Sequence, residues 1–186
     1  MIRRKAPIVA SIIFFLVVCE TSYGEIYSGV EESLNMVFSE SDTMETKEEK
    51  LTIYTKKEIE RRLGYGISES SFTFYIGKTQ GAIDGYYLML GEQGKHGPIL
   101  FGITIDQVGK IKDVAILSSM EVKEKKINKR RFLRQFTGKS SKDPLKLRKD
   151  IDAVTGATIS SNATTKATRK AIAAWEVFFA KEGVVQ

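Results

Sequence analysis

The chain is short of the residues that build most metal and nucleophilic sites. Of its 186 residues one is cysteine, Cys19, and one is histidine, His96. A lone Cys19 leaves the rest of the chain no internal disulfide, cysteine metal site or thiol nucleophile, so stability must come from an apolar core. A lone His96 leaves no His-pair metal site, and no Ser-His-Asp constellation is legible around it. The N-terminal apolar run, residues 6–18, is about 13 residues, short of the ~20 that cross a bilayer as a helix. There is no internal repeat and no low-complexity tract. The basic stretch 110–149 has just two aromatics, Phe132 and Phe136. They form no pattern interleaved with its cations to stack bases, so nucleic acid is not an expected partner of an exported chain.

What is present suits one domain behind an export segment. Hydrophobic residues at 42% and charged residues at 28% fit a globular core rather than disorder. Arg3, Arg4 and Lys5 precede the apolar run, the order of a signal peptide over residues 1–24. Ser22-Tyr23-Gly24 places small residues at the −3 and −1 positions of a cleavage site. Leu16-Val17-Val18-Cys19 partly matches a lipobox, with Val18 where a small residue is usual. A lipid anchor on Cys19 is therefore the alternative to a soluble exported form. The formal charge of +6 falls to +4 on removal of the segment, because Arg3, Arg4 and Lys5 leave together with Glu20. Residues 25–60 are acid-rich, whereas 110–149 are dense in Lys and Arg. That basic run is either a solvated face or a field drawing in an anionic dinucleotide or an acidic redox partner.

Periodicity predicts a short helix over 30–38, with Val30, Leu34, Val37 and Phe38 on one side. Residues 39–50 are polar and read as a loop. Thr55-Lys56-Lys57-Glu58 matches a capping box and Gly64 can close the helix that follows, so a second helix is expected over about 55–63. From Ser71 the period changes to two. Residues 72–76, 82–90, 99–105 and 111–117 are aromatic or β-branched runs with glycine-containing loops between them, the pattern of an antiparallel meander with a hairpin turn at 106–110. Phe132, Leu133 and Phe136 suggest one short helix inside a basic segment. Ala167, Ala171, Ala174, Trp175 and Phe178 form the apolar stripe of a final helix over 163–181. The expected class is α+β: a single domain with a twisted, mainly antiparallel sheet, short N-terminal helices and a C-terminal amphipathic helix.

The string Asp152-Ala153-Val154-Thr155-Gly156-Ala157-Thr158-Ile159-Ser160-Ser161 has the chemistry of an attachment point. Thr155, Gly156 and Ala157 carry no bulk, so another molecule can come close to the backbone there. Ser160, Ser161 and Asn162 are good helix N-caps. Thr158 would then stand just ahead of a helix N-terminus, where free N–H groups and the positive dipole end favour a phosphate. The bland reading of the same residues is a Ser/Thr-rich cap on a terminal helix.

The string resembles the D-x-x-[ST]-G-A-T signature of FMN-binding domains, the family that includes the flavin subunits of Rnf- and Nqr-type respiratory complexes. Gly94-Lys95-His96-Gly97-Pro98-Ile99 resembles the G-K-H-x-P-I loop of stand-alone and NosR-like members. Arg134-Gln135-Phe136-Thr137-Gly138-Lys139 with Asp143-Pro144-Leu145 is similar to the Q-F-x-G-K…D-P-L stretch that precedes the signature. The matching segments span about 72–174. Where family members often have an aromatic or acidic stretch after the fourth strand, this chain has Met120-Glu121-Val122-Lys123-Glu124-Lys125-Lys126.

The resemblance implies FMN held by a phosphoester on Thr158, with Asp152, Thr155, Gly156 and Ala157 forming the attachment segment. Lys95, His96, Gly97 and Pro98 would lie against the isoalloxazine ring, and Phe136 would pack near it, although an apolar residue on a short helix is more often plain core. A lone loop histidine such as His96 also fits a solvated turn residue, and Asp152 fits an Asx-turn former equally well. Flavinylation in this family is the work of a separate FAD:protein FMN transferase: the Thr158 hydroxyl attacks the FAD pyrophosphate, FMN becomes esterified and AMP leaves. A threonine hydroxyl needs a base and a metal to act as a nucleophile, and nothing in the chain supplies them.

The implied domains are 1–24 signal peptide, 25–64 N-terminal helical segment and 65–182 FMN-binding domain. The implied protein is an extracytoplasmic electron carrier without substrate turnover or catalytic residues of its own. Its implied partners are redox proteins or a membrane electron-transfer complex. The competing readings are a noncovalent or vestigial FMN-binding accessory module, and a flavin-dependent reductase.

Overall fold

A computed structural model of the chain describes residues 23–119 and 130–180. The expected signal segment, Cys19 included, lies outside the described residues apart from its last two positions. The departure at residues 120–126 lies outside them as well.

Five strands pair in chain order as an antiparallel meander: β1 (Thr43–Lys50), β2 (Ser71–Thr79), β3 (Ala82–Gln93), β4 (Pro98–Ile105) and β5 (Ile111–Ser119). The last four coincide with the aromatic and β-branched runs. β1 does not: residues 39–50 were expected to be a loop, and 43–50 are instead an edge strand in register with β2 from Thr43↔Lys78 to Lys50↔Ser71. Its sequence, TMETKEEK, has little intrinsic strand character. Backbone bonds to β2 hold it, and its charges suit an edge that must not recruit another chain. Lys78 pairs with Glu45 at 2.5 Å, and the Lys47 ammonium sits 5.0 Å from the centre of the Phe179 ring.

Helix α1 (Tyr23–Val37) is longer than the expected 30–38. Helix α2 (Ile53–Leu63) starts two residues before the expected one, because the capping box is built from Thr52 and Thr55 rather than Thr55 and Glu58. The Thr55 N–H donates to Thr52 Oγ1 at 3.1 Å, and the Thr52 N–H donates to Thr55 Oγ1 at 2.9 Å. Glu58 instead takes Arg61 and Arg62 as ion-pair partners. Gly64 closes the helix in the left-handed conformation, as expected. Helix α3 (Arg130–Leu133) runs into a 3-10 turn (Arg134–Phe136). The final helix, α4, is Thr158–Phe178.

Alternation along the strands splits the core in two. Phe72, Phe74 and Ile76 of β2, Tyr86, Leu88 and Leu90 of β3, and Phe101, Ile103 and Ile105 of β4 face α2 and α4 in the larger cluster. Tyr75, Tyr87 and Met89 turn to the other face and meet Val30, Leu34 and Val37 of α1. The order of layers is thus α1, sheet, then α2 with α4. Helix α4 lies close on the sheet because its inward residues are small: Ala163, Ala167, Ala171 and Ala174 are all buried. Thr164, Thr165 and Thr168 are buried among them, and each hydroxyl donates to the carbonyl four residues earlier. The buried polar atoms are thereby satisfied within the helix.

Candidate functional site

Thr158 is the first residue of a 21-residue helix. The caps expected at Ser160, Ser161 and Asn162 are not used as caps. The helix starts five residues before the expected Ala163, Ala157 holds the cap position, and no side chain caps it. The first helical bond runs from Ser161 N to Ala157 O at 2.9 Å. The N–H groups of Thr158, Ile159 and Ser160 precede it and have no helical carbonyl to donate to.

The turn ahead of the helix is closed by the Ala157 N–H donating to Val154 O at 2.9 Å. Gly156 occupies its third position at φ 73°, the left-handed value that a type II turn asks of that position. A buried hydroxyl pins the turn to the helix. Ser161 Oγ accepts from the Val154 N–H at 3.1 Å and donates to Ala157 O at 2.9 Å. Replacement of the expected cap by this arrangement has a simple cause: a serine inside the first turn can bond both backward and inward, and here it bonds both ways.

One turn upstream, the Gln135 side chain clasps the backbone of Asp152. Its amide oxygen accepts from Asp152 N at 2.8 Å and its amide nitrogen donates to Asp152 O at 3.2 Å. The connection 143–151 is gathered on Asp150, whose carboxylate accepts from Leu145 N at 3.1 Å, Lys146 N at 2.8 Å and Lys139 Nζ at 3.1 Å. Partial burial alone would raise the Asp150 pKa. The Lys146 N–H, the Lys139 ammonium and the Leu145 N–H outweigh it and hold the carboxyl below the ordinary aspartate range. Leu145 and Arg148 adopt positive φ in this loop. The loop is therefore a built support under the attachment segment.

The second wall comes from the β3–β4 hairpin. The Gly94 N–H donates to Gly97 O at 2.8 Å, and Gln93 stands opposite Pro98 in the register. Lys95 and His96 are exposed at the tip. Together with Gly156, Ala157, Thr158, Ile159 and Ser160 they line an open cleft of about 220 Å³.

The structure thus brings together Lys95, His96, Gly156, Ala157 and Thr158 from two segments some sixty residues apart. Gly97 and Pro98 shape the hairpin rather than the cleft wall. Thr155 is exposed in the turn beside it. Asp152 is exposed, with its backbone clasped and no partner for its carboxylate among the described residues. Phe136 is fully buried and stacks edge-on against Phe132 at 5.6 Å between ring centres, so it stands in the core and not along the cleft. Sequence reasoning missed Ile159 and Ser160 as lining residues, and Gln135, Asp150 and Ser161 as supports. Gln135, Ile159, Ser160 and Ser161 lay within segments already singled out, though not in these roles; Asp150 carried no distinguishing signal.

The arrangement can hold a phosphate. The first turn and positive end of α4 line the cleft, and Lys95 lines the opposite wall. The exposed Ile159 adds an apolar side chain beside them. A phosphate ester with a planar aromatic body, such as FMN, fits this mix of donors, small residues and apolar surface.

Comparison with known proteins agrees. A model of the FMN-binding domain family matches residues 94–173, from the hairpin through most of α4. The fold is similar to that of Shewanella oneidensis NqrC, with a TM-score of 0.54 and 14% identity over 79% of this chain and 86% of that one. It is also similar to a Na(+)-translocating NADH-quinone reductase subunit from Parabacteroides distasonis, with a TM-score of 0.53 and 14% identity over 84% and 85%. No curated protein matches the sequence. Residues 94–173 therefore belong to the FMN-binding domain family, with FMN as the cofactor, and they stand within the α+β fold that these two solved structures share.

Proposed function

We propose that the protein is an exported electron-transfer flavoprotein that carries FMN through a phosphoester on Thr158. The observation that carries this reading is the place of the Thr158 side chain. It is exposed on the first residue of α4, beside helix N–H groups, across an open cleft from Lys95 and His96. No hydrogen bond engages its hydroxyl among the described residues, so an external enzyme can reach it. After attachment, the phosphate charge is met by the helix end and by Lys95. Gly156 and Ala157 leave room for the ester close to the backbone. Bound FMN supplies the electron chemistry; this chain holds, orients and shields it.

Attachment falls to a separate FAD:protein FMN transferase, and the FMN-bearing unit spans 65–182. The protein works outside the cytoplasm with redox proteins or a membrane electron-transfer complex. The charged, then apolar, N-terminal segment supports export. Among the described residues no helix is long and apolar enough to cross a membrane.

The test is co-expression with an FAD:protein FMN transferase and intact-mass analysis of wild type and Thr158→Val. Wild type should gain the mass of one esterified FMN and the variant none. A gain in both sinks the assignment of Thr158. An unmodified wild type that still binds free flavin favours the noncovalent module instead.

A further inference from the structure

Behind the β3–β4 hairpin lies a charge cluster with no part in the cleft lining. Lys170 of α4 is 5% exposed, and a buried ammonium is tolerated only when paired. Its partners are Glu69, from the connection between α2 and β2, and Glu92 of β3, the latter at 2.6 Å. Glu92 stands two residues before the Gly94–Gly97 turn, opposite Ile99.

Neighbouring residues on α4 fasten the end of α2 and the start of the connection. Arg169 donates to Leu63 O at 2.6 Å and lies over the Tyr65 ring, and Lys166 lies over the same ring. Burial pushes the Tyr65 hydroxyl up to about 12. Lys170 reaches further, to the sheet. Burial would lower its pKa, but Glu69 and Glu92 outweigh that and keep the ammonium above the ordinary lysine range.

We propose that Lys170 is a positioning residue for the cofactor cleft: bridging Glu69 and Glu92, it fixes the end of β3, and with it the Lys95-His96 hairpin, against the helix that begins at Thr158. Without the ammonium, two largely covered carboxylates face each other with no counter-charge, and the strand end with the least sheet around it yields. Both walls of the cleft are then no longer held in one register. The consequence for FMN rests on the function proposed above; the consequence for the hairpin does not.

The first measurement is therefore hydrogen exchange on the FMN-free chain. In Lys170→Met the amides of residues 92–97 should exchange about tenfold faster, while those of 101–103 at the sheet centre keep their protection. Lys170→Arg should restore the hairpin. Unchanged exchange at 92–97 overturns the proposal, and so does a uniform loss across the sheet, which would mark a general stability role. Glu92→Gln, which removes one carboxylate and leaves Lys170 paired with Glu69, covers the case in which Lys170→Met does not fold. It should loosen the same residues, and wild-type exchange in it is equally fatal.

The second measurement is flavin fluorescence anisotropy of the flavinylated forms. It should fall toward that of free FMN in Lys170→Met and recover in Lys170→Arg. Free-flavin anisotropy already in wild type counts against the cofactor lying in the cleft and leaves the exchange result standing.

Discussion

Ser161 shows how one side chain can decide the geometry of an attachment turn. Its hydroxyl occupies a fully buried position and bonds the N–H of Val154 and the carbonyl of Ala157 at once. The turn that presents Thr158 is thereby welded to the helix behind it. Ser161→Ala would leave the Val154 N–H without an acceptor, at a cost of roughly 1–2 kcal/mol. Urea denaturation should report that loss, and transferase-dependent FMN incorporation should drop even in the folded fraction. Wild-type values for both would remove Ser161 from the account. Thr158, by contrast, should tolerate Val with little change in stability, because its exposed hydroxyl bonds nothing among the described residues.

At the scale of elements, the support loop 143–151 is the clearest case of structure held by one carboxylate. Asp150 gathers two backbone N–H groups and the Lys139 ammonium, while Leu145 and Arg148 sit at positive φ. Strained backbone of this kind persists only where its surroundings over-determine it. Because these donors hold the folded Asp150 pKa below its ordinary value of 3.8, its contribution is fully present above that value. It is lost as the pH falls through the depressed folded value. Asp150→Asn should therefore be less stable than wild type at neutral pH, by about 1–3 kcal/mol. The two proteins should converge in acid, below the ordinary aspartate pKa. A constant difference down to acid would mean that the carboxylate charge is not what holds the loop.

Elements also show what a sequence can and cannot disclose. β2 to β5 were legible because their apolar alternation is local and strong. β1 was not, since a run such as Glu45-Thr46-Lys47-Glu48 becomes a strand only through pairing with β2. The start of α4 was misplaced because serines at 160 and 161 look like caps, and only the fold shows that Ser161 bonds inward. Lys170 reads as an ordinary surface lysine until Glu69 and Glu92, far away in the chain, close on it. The attachment string and the Lys95-His96 hairpin were legible as motifs; that they line one cleft was a tertiary fact.

For the whole molecule, the sheet separates the layer that bears the cleft from the layer under α1. Phe136 belongs to the large cluster on the cleft side, and Leu34 to the smaller cluster on the far side. Both are buried, so truncation removes apolar contacts and leaves a cavity. Phe136→Ala should cost about 3–5 kcal/mol and Leu34→Ala about 2–5 kcal/mol, large fractions of a typical domain stability. Their effects on the cofactor should nonetheless differ little. Phe136 lies within the core and not in the cleft wall, so each folded molecule of either variant should still accept FMN when made at low temperature. The measurement is the ratio of flavin absorbance to folded protein, set beside thermal unfolding of the same samples. A Phe136→Ala protein that keeps its fold but loses FMN while Leu34→Ala retains it would place the phenylalanine ring against the flavin, and would require the core on the cleft side to rearrange when the cofactor is attached.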